Sequence, residues 1–325
     1  MSAIRPAGEA ELRRAVAAPL AVAVMAEALG LAETDPAQIL AWYDGIVAAV
    51  QAEAALQAEA ALQAEAALQA GAALQAEAAL QAEAPLQAEA AAEAAAEAPH
   101  NASTGTTAFA ELAASLHEVI AAPGRHSMLA EAVGGGPLTE TEVISNAAVL
   151  MFGGIETTEG MIANVMLHLL AHPGELRLVH ADKALIPAAV EESLRLEPAA
   201  AVVDRYATRD VQLAGQQIRA GDQVTVSIAA ANRDPKIFAA PDRFQVRRPN
   251  AAKHLAFAHG PHFCLGAHLA RLEARTAVQT MLDGLPGLRL DPRHPSAPRG
   301  LVFRKPPDLR TCWTPRPDTR PDAKI

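Results

Sequence analysis

One stretch, from Thr139 to Pro173, limits the possible folds more than any other. Thr139 and Glu142, three residues apart, form a capping-box signature for the start of a helix. The run EVISNAAVLMFGGIETTEGMIANVMLHLLAH then continues to Pro173, a predicted helix of about thirty residues, which is long for a globular protein. Its middle holds two adjacent glycines, Gly153 and Gly154. Each costs up to about 1 kcal/mol inside a helix, so the pair needs a reason. Other helical segments surround it. AVMAEALGLAE has apolar residues at helical spacing, and Asp35-Pro36 reads as an N-cap followed by proline at the first helical position. AFAELAASLHEVIAA runs up to Pro123-Gly124, ADKALIPAAVEESLRL closes at Pro198, and GAHLARLEARTAVQTMLDGL directs Leu269, Leu272, Ala277 and Met281 towards a core.

Between Pro198 and Cys264 the period changes from helical to alternating. Val211 and Leu213, then Ile218, then Val224, Val226 and Ile228 read as short strands joined by tight turns at Gly215-Gln216 and Gly221-Asp222. Asn232 to Asn250, rich in Pro, Asp and Arg, is expected to be irregular but ordered. The predicted fold class is mainly α with minor antiparallel β.

From Gln51 the hexapeptide QAEAAL recurs, placing Leu56, Leu62, Leu68, Leu74, Leu80 and Leu86 six residues apart. Six residues advance a helix by about 600°, so these leucines spread over three stripes and build no single apolar face. The expectation for 51–98 is a solvent-exposed helical rod interrupted at Pro85, or a low-complexity expansion without function. The repeat also explains the charge. Of the net −10, eight Glu and no Lys or Arg fall in 51–98, which leaves −2 for the remaining residues. No basic stripe is available for phosphates, so nucleic acid is excluded as a partner. The apolar run Ala15 to Ala26 contains Pro19 and stops at Glu27, short of the roughly 20 residues of a membrane span, and no signal-peptide pattern precedes it. A soluble, cytoplasmic protein is expected, and its two cysteines, Cys264 and Cys312, are too few for a disulfide scaffold.

The segment HLAFAHGPHFCLGAHLARLEAR carries the most chemistry. Cys264 at a turn before a helix admits a bland reading as a small buried hydrophobe. His254, His259, His262 and His268 crowd it, yet they lack the paired spacing of a structural zinc site. A third reading uses Gly260 and Gly266, which bracket a bend that exposes one thiolate beside a helix N-terminus. A single exposed thiolate suits a haem iron.

On these residues the chain resembles the cytochrome P-450 family of haem-thiolate monooxygenases. The family's cysteine-loop pattern is met by Phe257, Gly260, Cys264 and Gly266, with Ala258 where glycine is usual. The resemblance implies haem b with Cys264 as the axial thiolate ligand of iron, Phe257 packed near the sulfur, and His262 at a haem propionate. Arg205 in DRYATRD matches the propionate-binding arginine, with a plain surface role as the alternative. Glu192 and Arg195, by themselves an ordinary i,i+3 contact, correspond to a structural triad whose third member is expected to be Arg243. In the long helix, Gly153-Gly154-Ile155-Glu156-Thr157-Thr158 corresponds to the family's oxygen-binding motif. Its glycines are expected to open the helical ladder, Thr157 to contact dioxygen or its water, and Glu156 to relay protons. A kinked packing helix is the alternative.

The implied organisation is N-terminal helices at 1–50, the repeat at 51–98, a haem-binding catalytic core at 99–313 and a disordered tail at 314–325. The resemblance leaves out the family's first helices, part of its outer sheet, a substrate-contacting loop and a helix whose basic residue grips a propionate. Poor haem retention and weak turnover are therefore expected. The implied activity is monooxygenation of a small organic substrate by dioxygen, with electrons from a ferredoxin and ferredoxin reductase and a docking face at Lys253, Arg271 and Arg275. The competing readings are an inactive relative and an interaction protein working through the Ala-rich helix.

Overall fold

The computed structural model describes residues 4–49, 106–122 and 128–315. The rod expected at 51–98 lies outside the described residues. The chain divides into two compact units, Met1–Ala21 with Gly153–Ile325, and Val22–Phe152.

In the second unit, α1 (Ala18–Leu29) ends at Gly30, whose φ of 76° lets the Leu31 amide turn back to the Ala26 carbonyl at 2.7 Å. Helix α2 (residues 36–49) starts as expected: the Asp35 carboxylate accepts from the Ala37 amide at 2.9 Å. Trp42 of α2 donates Nε1–H to Glu111 of α3 (residues 106–121) at 2.9 Å, satisfying the polar end of a buried indole. Leu112 and Leu116, four apart on α3, are fully buried. A short α4 (Met128–Gly135) precedes α5 (Glu140–Ala171), where the capping box forms as the sequence predicts. The Glu142 carboxylate accepts from the amide and hydroxyl of Thr139, both at 2.8 Å, and these bonds hold that carboxyl below its usual range.

The first unit is built around the C-terminal half of α5. Met161, Ile162, Val165, Met166 and Leu169 form its buried stripe. Against it lie Ala189, Val190 and Leu194 of α7 (Ile186–Leu196) and Ala274, Ala277, Val278 and Met281 of α9 (Ala267–Gly284), with α6 (Pro173–Ala181) adding Val179. Ala277 and Met281 are in the core as expected. Leu269 and Leu272, expected there, are 39% and 53% exposed, because the buried stripe of α9 runs through 274, 277, 278 and 281 and turns those two leucines away.

Three small antiparallel sheets complete the unit. Strand β2 (Val202–Tyr206) pairs with β5 (Gln223–Ser227), placing Arg205 opposite Val224. Strands β3 (Val211–Leu213) and β4 (Gln216–Ile218) form a hairpin through Ala214 and Gly215, both at positive φ, as a two-residue turn of this hand requires. Ile228, read from sequence as a strand residue, instead opens α8 (Ile228–Ala231), because the Ser227 hydroxyl caps the Ala230 amide. The third sheet has the order β1 (Glu9–Glu11), β7 (Arg310–Cys312), β6 (Arg289–Leu290). The Thr314 amide donates to the Pro286 carbonyl at 2.8 Å, and the rest of the expected tail, 316–325, lies outside the described residues.

Candidate active site

Cys264 lies after a 3-10 turn (Gly260–His262) and just before α9. Its amide donates to the Phe257 carbonyl at 2.9 Å, closing the loop and joining two residues that the sequence had assigned to one site. Gly260 has φ of +73°, in the left-handed region, and a Cβ there would meet nothing within 4 Å. Gly266 packs beside the thiol, where an added Cβ would stand 4.0 Å from Sγ. Ala258 is itself at φ +60°, which explains on conformational grounds why glycine is the usual residue there.

Three residues that sequence reasoning had not brought together hold this loop from behind. Glu191 of α7 accepts from Arg271 of α9 at 2.6 and 3.1 Å and contacts His254 Nε2 at 3.2 Å. Burial alone would raise the Glu191 carboxyl, but the bonds to His254 and Arg271 outweigh it and hold the group at about 2. The Arg271 guanidinium lies over the Phe257 ring, 4.4 Å from its centroid, and the His254 ring approaches from 5.9 Å. Arg271 is therefore engaged with Glu191, and Arg275 donates Nε–H to the Arg271 carbonyl.

Beneath the loop, the Glu192 and Arg195 side chains are fully buried and paired, Nε to Oε2 at 2.8 Å and Nη2 to Oε1 at 2.9 Å. The third member is Arg248 and not Arg243. Arg248 Nε reaches both Glu192 oxygens at 2.9 Å, while Arg243 contributes its carbonyl to Arg195 and Arg248. Phe244, Val246 and Arg248 alternate inward, so Arg243 and Arg247 point to solvent. An inward Arg243 would turn Phe244 and Val246 out of the core. Further carbonyls, of Asn232, Pro241, Ala239 and Ala240, accept the remaining guanidinium protons. Burying these charges is tolerated because almost every donor has an acceptor.

Helix α5 runs unbroken through Gly153 and Gly154, where an opened ladder was expected. Thr157 Oγ1 donates to the Gly153 carbonyl at 2.6 Å, and a Cβ on Gly153 would meet nothing within 4 Å, so open space lies beside this turn. Glu156 is buried and receives Lys305 Nζ at 2.8 Å. Arg205 is exposed on β2, with Nη1 on the Asp204 carbonyl at 2.7 Å, and His262 is exposed in its turn. Neither is drawn to the other or to Cys264 by a direct bond described in the structure.

A family model described as Cytochrome P450 matches residues 124–286, half of the chain. The chain belongs to the cytochrome P450 family. It is 36% identical over 314 residues to the cytochrome P450 monooxygenase PikC of Streptomyces venezuelae, covering 94% of this chain and 62% of that protein. It is 46% identical over 154 residues to the biotin biosynthesis cytochrome P450 of Bacillus subtilis, 47% of this chain and 38% of that one. Among solved structures, P450BioI in complex with an acyl carrier protein ligated to hexadec-9Z-enoic acid matches with a TM-score of 0.74 at 30% identity, covering 96% of this chain and 71% of that one. Ligand-free cytochrome P450 TbtJ1 matches with a TM-score of 0.75 at 31% identity, covering 95% and 72%. The chain thus spans less than two thirds of the length of these curated relatives.

Membership of the cytochrome P450 family implies haem held by a thiolate, and the residues present fit that group. Among the described residues no group of three or more His, Cys, Asp and Glu is placed to hold a metal ion. The surface beside it is apolar, with Phe263 51% and Leu265 81% exposed, as a flat hydrophobic macrocycle would require. Cys312, the other thiol, sits in β7 and forms no disulfide. Among the described residues no helix is long and apolar enough to cross a membrane.

Proposed function

We propose that the chain is a haem-thiolate monooxygenase. It inserts one atom of dioxygen into a small organic substrate and reduces the other to water, taking two electrons and two protons. The observation that carries this reading is the Cys264 loop: a half-buried thiol, pinned to Phe257 and opening onto exposed apolar side chains. When bound, haem b supplies the binding of dioxygen and the cleavage of its O–O bond, which thiolate ligation favours.

Cys264 would hold the iron through its thiolate, and Gly266 keeps side-chain bulk away from that sulfur. Arg205 and His262, both exposed, are assigned to the haem carboxylates as charge-assisted donors. Phe257, flanked by Arg271 and His254, screens the sulfur from water. On α5 the Thr157 hydroxyl donates to Gly153, which leaves its oxygen free to accept from a water and so to order a path for protons. Glu156 is the acid that supplies that path. A relative from Streptomyces fradiae, 20-oxo-5-O-mycaminosyltylactone 23-monooxygenase, supports oxygen insertion into an organic substrate. Electrons come from a ferredoxin and its reductase, and the bacterial relatives support a cytoplasmic setting.

The test supplies the haem-loaded chain with NADH, ferredoxin, reductase and isotopically labelled dioxygen, and presents 20-oxo-5-O-mycaminosyltylactone and hexadec-9Z-enoic acid. One labelled atom in the product is expected, with Thr157→Ala diverting electrons into hydrogen peroxide. Peroxide as the sole reduced product from parent and variant alike would contradict the reading.

A further inference from the structure

Glu156 and Glu159 stand three residues apart on α5, both buried, so their carboxylates share one face of the helix. Two buried carboxylates side by side repel unless a cation lies between them. Lys305 provides it, with Nζ 2.8 Å from Glu156 Oε2 and 2.6 Å from Glu159 Oε2. Arg13, from the segment preceding α1, adds a second cation 3.4 Å from Glu159 Oε1. The four side chains are at most 17% exposed and carry no net charge together.

Lys305 is not a loose surface side chain that happens to reach this far. Its backbone pairs with Arg299 across the bend at Gly300, where φ is +102° and a Cβ would collide with the Phe303 carbonyl. The preceding residue, Arg304, donates its amide to the Ala199 carbonyl at 2.8 Å, and its own carbonyl accepts from Asn164 of α5 at 2.9 Å. The Lys305 stem then crosses α5 at Gly160, where an added Cβ would lie 3.5 Å from Lys305 Cβ and 3.6 Å from its Cδ. The stem therefore lies against α5 at Gly160, from where the ammonium reaches the acid one turn earlier.

We infer that Lys305 is the positioning residue for Glu156: it fixes the orientation of that carboxylate and influences when it carries a proton, with Glu159 as the competing partner. The inference rests on the monooxygenase reading for what Glu156 does, but the contact itself is independent of haem. Removing Lys305 takes away the cation that both carboxylates contact, while Arg13 stays on Glu159, and this favours uptake of a proton by the pair. Removing Glu159 instead leaves Lys305 wholly to Glu156.

Infrared titration of carboxyl groups in the full chain tests this, with Glu156→Gln identifying the Glu156 band. In Lys305→Met the band of protonated Glu156 should appear about 1–3 pH units higher than in the parent. Lys305→Arg should restore it, and Glu159→Gln, which keeps the lysine, should move it in the opposite direction. In the haem-loaded enzyme, product formed per NADH should fall with Lys305→Met and recover with Lys305→Arg. Identical Glu156 titrations in the parent, Lys305→Met and Glu159→Gln would overturn the inference. Absence of a thiolate-type spectrum in the parent would refute the monooxygenase reading separately, with the infrared comparison still deciding whether Lys305 governs Glu156.

Discussion

Ala258 occupies a left-handed conformation, φ +60°, in the loop that presents Cys264. A residue with a Cβ pays roughly 1–2 kcal/mol there, part of which glycine would return as chain entropy in the unfolded state. Ala258→Gly should therefore stabilise the chain by about 1 kcal/mol, seen as a higher denaturant midpoint; a lower midpoint would show that the loop gains nothing from relief at this residue. Glu273 gives a second test. It is 7% exposed on α9, its Oε2 has no hydrogen-bond partner, and burial raises its carboxyl from 4.5 to about 7. The unfolded chain releases this proton near 4.5 and the folded chain near 7, so the stability of the neutral form is full below 4.5 and is lost as pH rises through 7. Glu273→Gln should be neutral at acidic pH and stabilising by about 2–3 kcal/mol in alkaline buffer, as measured by urea denaturation at both. No gain in alkaline buffer would mean that Glu273 is solvated. Cys264, Thr157 and Glu192 were legible in the sequence because each sits in a short local pattern. Glu191, His254 and Arg271 were not, because their contacts join residues 63 and 80 apart.

At the scale of elements, α7 and the irregular segment after α8 are locked by charge, and the sequence reading misplaced the partner of Glu192. The family resemblance put Arg243 there; the alternation of Phe244, Val246 and Arg248 into the interior was the readable signal for the alternative. Removing one partner of a buried ion pair costs about 3–5 kcal/mol, whereas an exposed side chain whose backbone makes the contacts costs under about 0.5. Arg248→Ala should thus lower the unfolding free energy sharply and Arg243→Ala hardly at all. Equal losses would return Arg243 to the triad. Helices were read well, since capping at Asp35 and Thr139 is a local chemical event. The sheet β1-β7-β6 was not, because strands of two or three residues pair across some three hundred positions, Glu9 with Cys312, and leave no periodicity to detect.

For the whole molecule, family membership and the arrangement around Cys264 agree, while the shares of the relatives that are matched, 62% and 38% for two of them, leave activity as the proposal to be tested. The acidic repeat accounts for most of the net charge of −10 and played no part in locating the site. The central claim is that one thiolate, Cys264, holds a haem on this scaffold. The reduced carbon monoxide difference spectrum tests it most directly, taken on the purified full chain, on Cys264→Ala and on Cys312→Ser. The account predicts a thiolate-type band in the parent and in Cys312→Ser, and its loss in Cys264→Ala with helical content retained. The same band in Cys264→Ala as in the parent, or no thiolate band in the parent supplied with haem, would contradict it.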